Sequence, residues 1–507
     1  MKGTSDPAVV IGSGFGGLAA AVRLRARGHR VILLEAMDQP GGRAAVFRRD
    51  GFTFDAGPTV ITAPYLLHEL FELVGRDSRD YFQLVPVDPF YRVEFPDGSR
   101  FDYVGDEERL IAQIAALSPG DVDGYRRLAA HAERIFDVGY TQLSDVPFGR
   151  MADMMSALPA MLRLGNHRSV YAQVAKYVKD ERLRQVFSFE PLLVGGNPFR
   201  ITSIYLLIHW LERKWGVWFA MGGTTSIVHG LMKLLDDIGV EVRLATPVEQ
   251  IEVRDGRAVA VHAGGERIAA SLVVANADPT HVYGELIAPE ARNWRTRAAL
   301  RTRQFSMGLF VGYFGTRKQY PELAHHTILM GPRYRELLRD IFDRKVLADD
   351  FSLYLHAPTR TDPALAPPGC ETFYVLSPVP NLQAGIDWAE VGPAYFDRIL
   401  DHLDRTYLPG LRENLVTRFH VDPTYFRDTL RSTHGAGFGI EPRLTQSAYF
   451  RYHNQSPHVK GLYMVGAGTH PGAGVPGVLS TAKVLDRVVP PPARPVPLPT
   501  PARAGAA

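Results

Sequence analysis

Residues 8–17 read Ala-Val-Val-Ile-Gly-Ser-Gly-Phe-Gly-Gly, and no other stretch limits the fold as strongly. Four small or β-branched residues predict a short buried strand. Gly12, Gly14 and Gly17 follow at the spacing G-x-G-x-x-G, with Ser13, Phe15 and Gly16 between them. An alanine-rich helix is expected from Leu18 to Arg27, ended by Gly28, and a second apolar strand, Val31 to Leu34, runs into Glu35. This is a βαβ unit with an acid about 20 residues beyond the glycines, the arrangement of a dinucleotide fingerprint. Gly12 allows the tight turn, Gly14 leaves room for a pyrophosphate, and Gly17 lets helix and strand pack closely. The helix N-terminus offers free N–H groups and a positive dipole end to phosphates, and Glu35 can accept from a ribose. The loop alone leaves NAD and FAD both open.

Further glycine-rich stretches extend the pattern. Gly41-Gly42-Arg43 is a turn carrying an arginine, and Phe54-Asp55-Ala56-Gly57-Pro58-Thr59 follows closely. An NAD enzyme needs neither, whereas extended FAD runs past several loops. Met221-Gly222-Gly223-Thr224 opens a second α/β section. It holds a helix over 227–235, a strand over 240–244, Pro247-Val248, a hairpin at Asp255-Gly256, and a strand over 272–275 ending at Asn276. Near the C-terminus the strand-like 461–465 runs into Gly466-Ala467-Gly468-Thr469-His470-Pro471-Gly472-Ala473-Gly474-Val475-Pro476-Gly477, then a helix from about Val478 to Val488. Here too backbone can approach a ligand. Pro471 breaks the fingerprint spacing, so this loop reads as a companion to the first site. The residues expected to hold the cofactor are Gly12, Ser13, Gly14, Phe15, Gly16, Gly17, Glu35, Gly42, Arg43, Gly57, Pro58, Thr59, Val248, Asn276, Gly466, Gly468, Pro476, Gly477 and Val478.

The middle of the chain carries no nucleotide signal. Pro96-Asp97-Gly98 predicts a hairpin. Residues 151–164 are Met-rich, suited to an apolar ligand, a membrane face or a core. Asp153, the one carboxylate there, is a candidate for proton transfer if its surroundings are apolar. Tyr205, Trp210, Trp215, Trp218 and Phe219 fit a membrane interface, a tunnel wall or a core equally well. His325 and His326 are adjacent, so on a strand they would point opposite ways, and no Asp, Glu or Cys stands at chelating spacing; no metal is expected.

Composition narrows the classes. The chain has 507 residues, 46% of them hydrophobic, a formal net charge of +3 and a single cysteine, Cys370. The charge argues against a nucleic-acid partner, and one cysteine excludes intramolecular disulfides and cysteine-ligated clusters. Neither a signal peptide nor an apolar run of membrane-spanning length is read, so a cytoplasmic or peripheral-membrane protein is expected. The proline-rich 490–507 reads as a disordered tail.

Together these stretches resemble the bacterial phytoene desaturase (carotenoid desaturase) family within the flavin amine-oxidase-like superfamily. Besides the motifs above, the resemblance rests on Leu192-Leu193-Val194-Gly195-Gly196-Asn197-Pro198-Phe199, Trp215-Gly216-Val217-Trp218, His325-His326-Thr327 and residues 350–356, and covers nearly the whole chain to about Val488. One departure is 447–454, where the family more often has Trp and Pro in place of Tyr449 and Tyr452. The resemblance implies an α/β fold with α+β insertions. A Rossmann-like FAD-binding domain of the glutathione-reductase/amine-oxidase type, discontinuous in sequence (1–78, 221–284, 455–489), would stand beside a mixed substrate-binding domain (79–220, 285–454). It implies non-covalent FAD, attachment to the cytoplasmic face of the membrane, and successive dehydrogenations of phytoene, a long polyene, commonly to lycopene. In such chemistry a hydride leaves a single bond flanked by double bonds, and the cofactor takes the difficult step while the protein positions the chain. With no second dinucleotide loop, oxygen or a quinone is the expected electron acceptor. A later carotenoid desaturase, another oxidase of the superfamily, or a flavin-free escort protein of the same fold are the rival readings. Oligomeric state is left open.

Overall fold

A computed structural model describes residues 6–499. The strands that position the site are β1 (Ala8–Ile11), β2 (Val31–Leu34), β3 (Tyr91–Glu94), β4 (Arg100–Tyr103), β5 (Glu241–Arg243), β6 (Leu272–Ala275), β7 (Gly308–Thr316), β8 (His326–Leu329), β9 (Leu353–His356), β10 (Glu371–Val379), β11 (Leu415–Val421) and β12 (Leu462–Met464). The helices that matter are α1 (Phe15–Ala26), α2 (Met151–Arg163), α3 (Leu207–Trp215), α4 (Thr224–Asp237), α5 (Trp388–Thr406) and α6 (Val475–Val488).

A five-stranded parallel sheet, ordered β12-β6-β1-β2-β5, gathers strands from three distant parts of the chain. β12, β6, β1 and β2 are buried at every position because both faces are covered, as parallel sheets require, whereas the edge strand β5 carries Glu241 and Arg243 toward solvent. Val10, Leu33 and Val274 face a core shared with α1, α4 and α6. Val9, Ile32 and Val273 face a core shared with a three-stranded antiparallel meander over residues 248–269. The meander's first turn is the predicted Asp255-Gly256 hairpin, and Gly256 adopts φ 72 there.

The second sheet has seven strands in the order β11-β7-β10-β9-β8-β3-β4. All its pairings are antiparallel except β3 with β8. Side chains alternate between its faces. Phe310, Phe314, Phe373 and Val375 pack on Trp388, Phe396, Ile399 and Leu403 of α5. The opposite face carries a register-aligned row, Ile328, Tyr354, Leu376 and Val311, one from each of four neighbouring strands.

Three expectations need correction here. The tail is not loose where it is described: Val496 N–H donates to the Gly28 carbonyl at 2.8 Å, and Arg25 donates to the Val496 carbonyl at 2.8 Å and to that of Pro497. Residues 500–507 lie outside the described residues. The helix expected from about Val478 starts at Val475, because Gly474 supplies the turn and Pro476 sits at an early helical position that needs no N–H. The adjacent histidines also converge, as described below. Among the described residues, no helix is long and apolar enough to cross a membrane.

Candidate active site

Four glycine-rich stretches, 12–17, 41–43, 54–59 and 466–477, meet on one cavity of about 1510 Å³. Two helix N-termini point at it. α1 starts after Gly14 and α6 after Gly474, and neither has a side-chain cap, so their first N–H groups remain available. The packing explains why the glycines are glycines. A Cβ on Gly16 would stand 2.5 Å from Asn276 Oδ1, 3.1 Å from Gly466 N and 3.2 Å from Val478, which joins all three sheet segments at one point. A Cβ on Gly17 would collide with the Gly12 carbonyl, and one on Gly57 with that of Arg43.

Of the expected cofactor residues, all but Ser13 and Gly17 line this cavity. Gly17 lies behind it, as the strand–helix contact dictates. Ser13 is fully buried, and its N–H and hydroxyl both donate to Glu35 Oε2 at 2.7 and 2.6 Å. Glu35 Oε1 accepts only from Met37 N–H at 3.0 Å among the described contacts, which leaves it capacity for a hydroxyl donor. Arg43 is fixed by donation from Nη2 to Ser432 Oγ at 3.1 Å, while its buried Nε has no partner. Two uncapped helix N-termini, a carboxylate with spare acceptor capacity, an orphaned guanidinium N–H and close backbone approach together fit a dinucleotide with a ring system.

The cavity continues along an apolar wall. The sheet row Ile328, Tyr354, Leu376 and Val311 lies in it, with Met307 and Leu309 beside it. α3 contributes Leu207, Ile208 and Leu211. The aromatic 202–220 stretch therefore divides. Tyr205 is in the cavity wall, whereas half-buried Trp215 packs outside it against Tyr65 at 4.9 Å and Phe136 at 5.4 Å. The polar atoms in the apolar part are few. Thr59 Oγ1 lies 2.7 Å from the Tyr354 hydroxyl and 3.4 Å from that of Tyr374. Glu212, fully buried, accepts from the Tyr91 hydroxyl at 2.6 Å, and burial together with neighbouring Glu190 holds its carboxyl well above the usual range.

Asp153 takes no part in this cavity. It sits in the first turn of α2, where Oδ2 accepts from Arg150 N–H at 3.0 Å and Oδ1 pairs with the Arg150 guanidinium at 3.2 Å. Its apolar sequence neighbours mislead because they face elsewhere. Met151, Met155 and Leu162 are 44%, 55% and 54% exposed and, with half-buried Leu158, follow helical spacing along an outward stripe.

One residue that sequence reasoning missed is Arg451. It is buried and donates to the carbonyls of Thr469 at 3.0 Å, Ala467 at 2.6 Å and Gln446 at 3.4 Å, clamping the C-terminal glycine loop. Its neighbour Tyr452 pairs with Thr469 and meets the Thr280 hydroxyl at 3.3 Å. The 447–454 departure therefore bears on the glycine-loop side of the cavity.

Comparison with known proteins agrees with this geometry. Residues 15–484 match the family described as flavin containing amine oxidoreductase. A lycopene-forming phytoene desaturase from Pseudescherichia vulneris is 52% identical over 477 residues, covering 94% of this chain and 97% of that protein. A neurosporene-forming phytoene desaturase from Rhodobacter capsulatus is 45% identical, covering 95% and 94%. Among solved structures, an oxidoreductase from Methanosarcina mazei superposes with TM-score 0.66 at 19% identity, covering 95% of this chain and all of that one. Putrescine oxidase with bound putrescine superposes with TM-score 0.63 at 16% identity, covering 96% and 99%. The chain belongs to the flavin containing amine oxidoreductase family and, within it, to the phytoene desaturases, and its cofactor is FAD.

Proposed function

We propose that the protein is an FAD-dependent oxidoreductase that carries out successive desaturations of phytoene, with lycopene as product. The observation that carries this reading is the continuity of one cavity from the glycine loops to the long apolar wall of the second sheet. Bound FAD supplies the hydride acceptor for converting a carbon–carbon single bond to a double bond. The protein's own residues bind and orient. The N–H groups opening α1 and α6 would bind the anionic and polar groups of the cofactor, Glu35 Oε1 would accept from a hydroxyl, and Arg43 Nε would be free to donate to it. The row from Ile328 to Val311 orients the polyene and excludes water. Burial and neighbouring Glu190 favour the uncharged form of the Glu212 carboxyl in this wall, in keeping with the cost of a charge beside hydrocarbon.

We assign residues 1–78, 221–284 and 455–489 to a discontinuous cofactor domain and 79–220 and 285–454 to a substrate domain. The outward stripe Met151, Met155, Leu158 and Leu162 on α2 supports a peripheral membrane position, from which a bilayer-dissolved substrate can be taken. Oxygen or a quinone accepts the electrons. Expression in cells that accumulate phytoene, followed by pigment analysis, tests the reading. Lycopene is expected; unchanged phytoene beside soluble, FAD-loaded protein refutes it. Anaerobic turnover with a quinone and without NAD(P)+ is the expected outcome for the acceptor, and strict dependence on NAD(P)+ excludes it.

A further inference from the structure

His326 opens β8 and His356 closes β9, and the two form a directly opposed cross-strand pair. His325 precedes β8, so strand alternation does not turn it away, and its ring joins them. The ring centroids are separated by 4.4 Å (His325–His326), 4.9 Å (His325–His356) and 5.3 Å (His326–His356). All three residues are buried, at 5%, 0% and 1% exposure, and one nitrogen from each lies within 4.8 Å of the others.

The outer nitrogens of two of them are already engaged. His325 Nδ1 is 2.6 Å from Thr361 Oγ1, and His326 Nδ1 is 2.7 Å from the Tyr354 hydroxyl. An oxygen partner on Nδ1 is how metal-ligating histidines are oriented, and it leaves Nε2 to face inward. His325 Nε2 and His356 Nε2 stand 3.1 Å apart, close to the ~3.3 Å that two nitrogens keep on a tetrahedral zinc ion. His326 Nε2 is buried with no hydrogen-bond partner at all. A buried nitrogen without a partner beside two others is a vacant donor position.

We propose that His325, His326 and His356 form a binding site for a divalent late transition metal of the zinc type, through their Nε2 atoms. Three imidazoles without a carboxylate suit zinc or its chemical neighbours, and not calcium or magnesium. A small rotation of His326 completes the set, and a water fills the fourth position. The site ties β8 to β9 and, through His326 Nδ1, fixes Tyr354 and hence Thr59 in the cavity wall. Its role is to position that wall. Sequence spacing conceals it, because two ligands are adjacent and the third comes from the next strand.

The test uses FAD-loaded protein with no polyhistidine tag, made in cells grown with cobalt(II) in place of zinc so that a buried site fills during folding. One equivalent of cobalt per chain with a visible tetrahedral absorption band is expected, and zinc in the same proportion from zinc-grown cells by elemental analysis. His326→Gln and His356→Gln should lose the metal while keeping FAD, and Tyr354→Phe should lower affinity about tenfold. His420→Ala, on β11 outside the cluster, should retain it. Wild-type protein holding well under one equivalent of either metal, or full metal content in the His326→Gln/His356→Gln double variant, overturns the proposal. The wild-type result decides even if a variant fails to fold.

Discussion

Gly16→Ala probes the junction on which the cofactor site depends. The added methyl would stand 2.5 Å from Asn276 Oδ1 and 3.1 Å from Gly466 N. Neither neighbour is the free end of a long side chain. Asn276 follows β6 directly, and Gly466 N–H donates to Thr481 Oγ1 of α6 at 2.8 Å. Overpacking of this kind costs about 1–3 kcal/mol. If the loops yield, the N–H groups opening α1 and α6 leave their positions and FAD affinity falls about 5- to 150-fold, since 1.4 kcal/mol is a factor of ten. If the loops resist, the same cost appears as lost stability. Titration of apoprotein with FAD, followed by flavin fluorescence, reads the first effect, and the denaturant midpoint reads the second. Gly120→Ala is the control, because a Cβ there meets nothing within 4 Å. A Gly16→Ala protein with wild-type FAD affinity and wild-type midpoint would refute the convergence of the three segments at this point.

Leu376→Trp, in the middle of the sheet row, should leave FAD content unchanged and lower desaturation of phytoene at least about tenfold, a loss of about 1.4 kcal/mol in transition-state stabilisation; pigment yield per FAD checks it. Met155→Asp with Leu162→Asp should weaken co-sedimentation with phospholipid vesicles about tenfold or more, since each apolar side chain withdrawn from lipid forfeits up to about 1.5–3 kcal/mol. Asp55 gives a pH dependence. Burial pushes its carboxyl from 3.8 up to about 7, with Thr224 N–H opposing at 2.9 Å from Oδ1. Between about pH 4 and pH 7 the folded state therefore keeps a proton that the unfolded chain has released. Stability from this group falls as pH rises through that window, by about 1.4 kcal/mol per unit and about 4 kcal/mol in all. Asp55→Asn should shrink the difference in denaturant midpoint between pH 5 and pH 8.

The cofactor end of the site was legible because its physics is local. Gly12 to Glu35 is one continuous βαβ unit, and Gly12, Gly14 and Gly17 each answer a contact within it or with Asn276 at the end of the strand beside it. The loop at 466–477 was legible for the same reason, as a strand feeding a helix N-terminus. The apolar wall was not. Val311, Ile328, Tyr354 and Leu376 are far apart in sequence and meet only through strand register, which periodicity does not reveal. Asp153 shows the opposite failure: its neighbours along the chain are apolar, but the helix turns them toward solvent and gives the carboxylate to Arg150. Arg451 carries no motif, and its importance lies in two carbonyls of a loop 16 and 18 residues on and a third five positions back. His325 and His326 were misjudged by applying strand alternation one residue before the strand begins.

The central claim is that the hydride acceptor and the apolar substrate share one continuous cavity. Its most direct test is a single turnover: FAD-loaded protein mixed anaerobically with phytoene in vesicles, with no added acceptor. The flavin absorbance should bleach in step with the loss of an equal amount of phytoene and the appearance of its first desaturation product. Flavin that stays oxidised while the protein remains folded and FAD-bound would contradict the account.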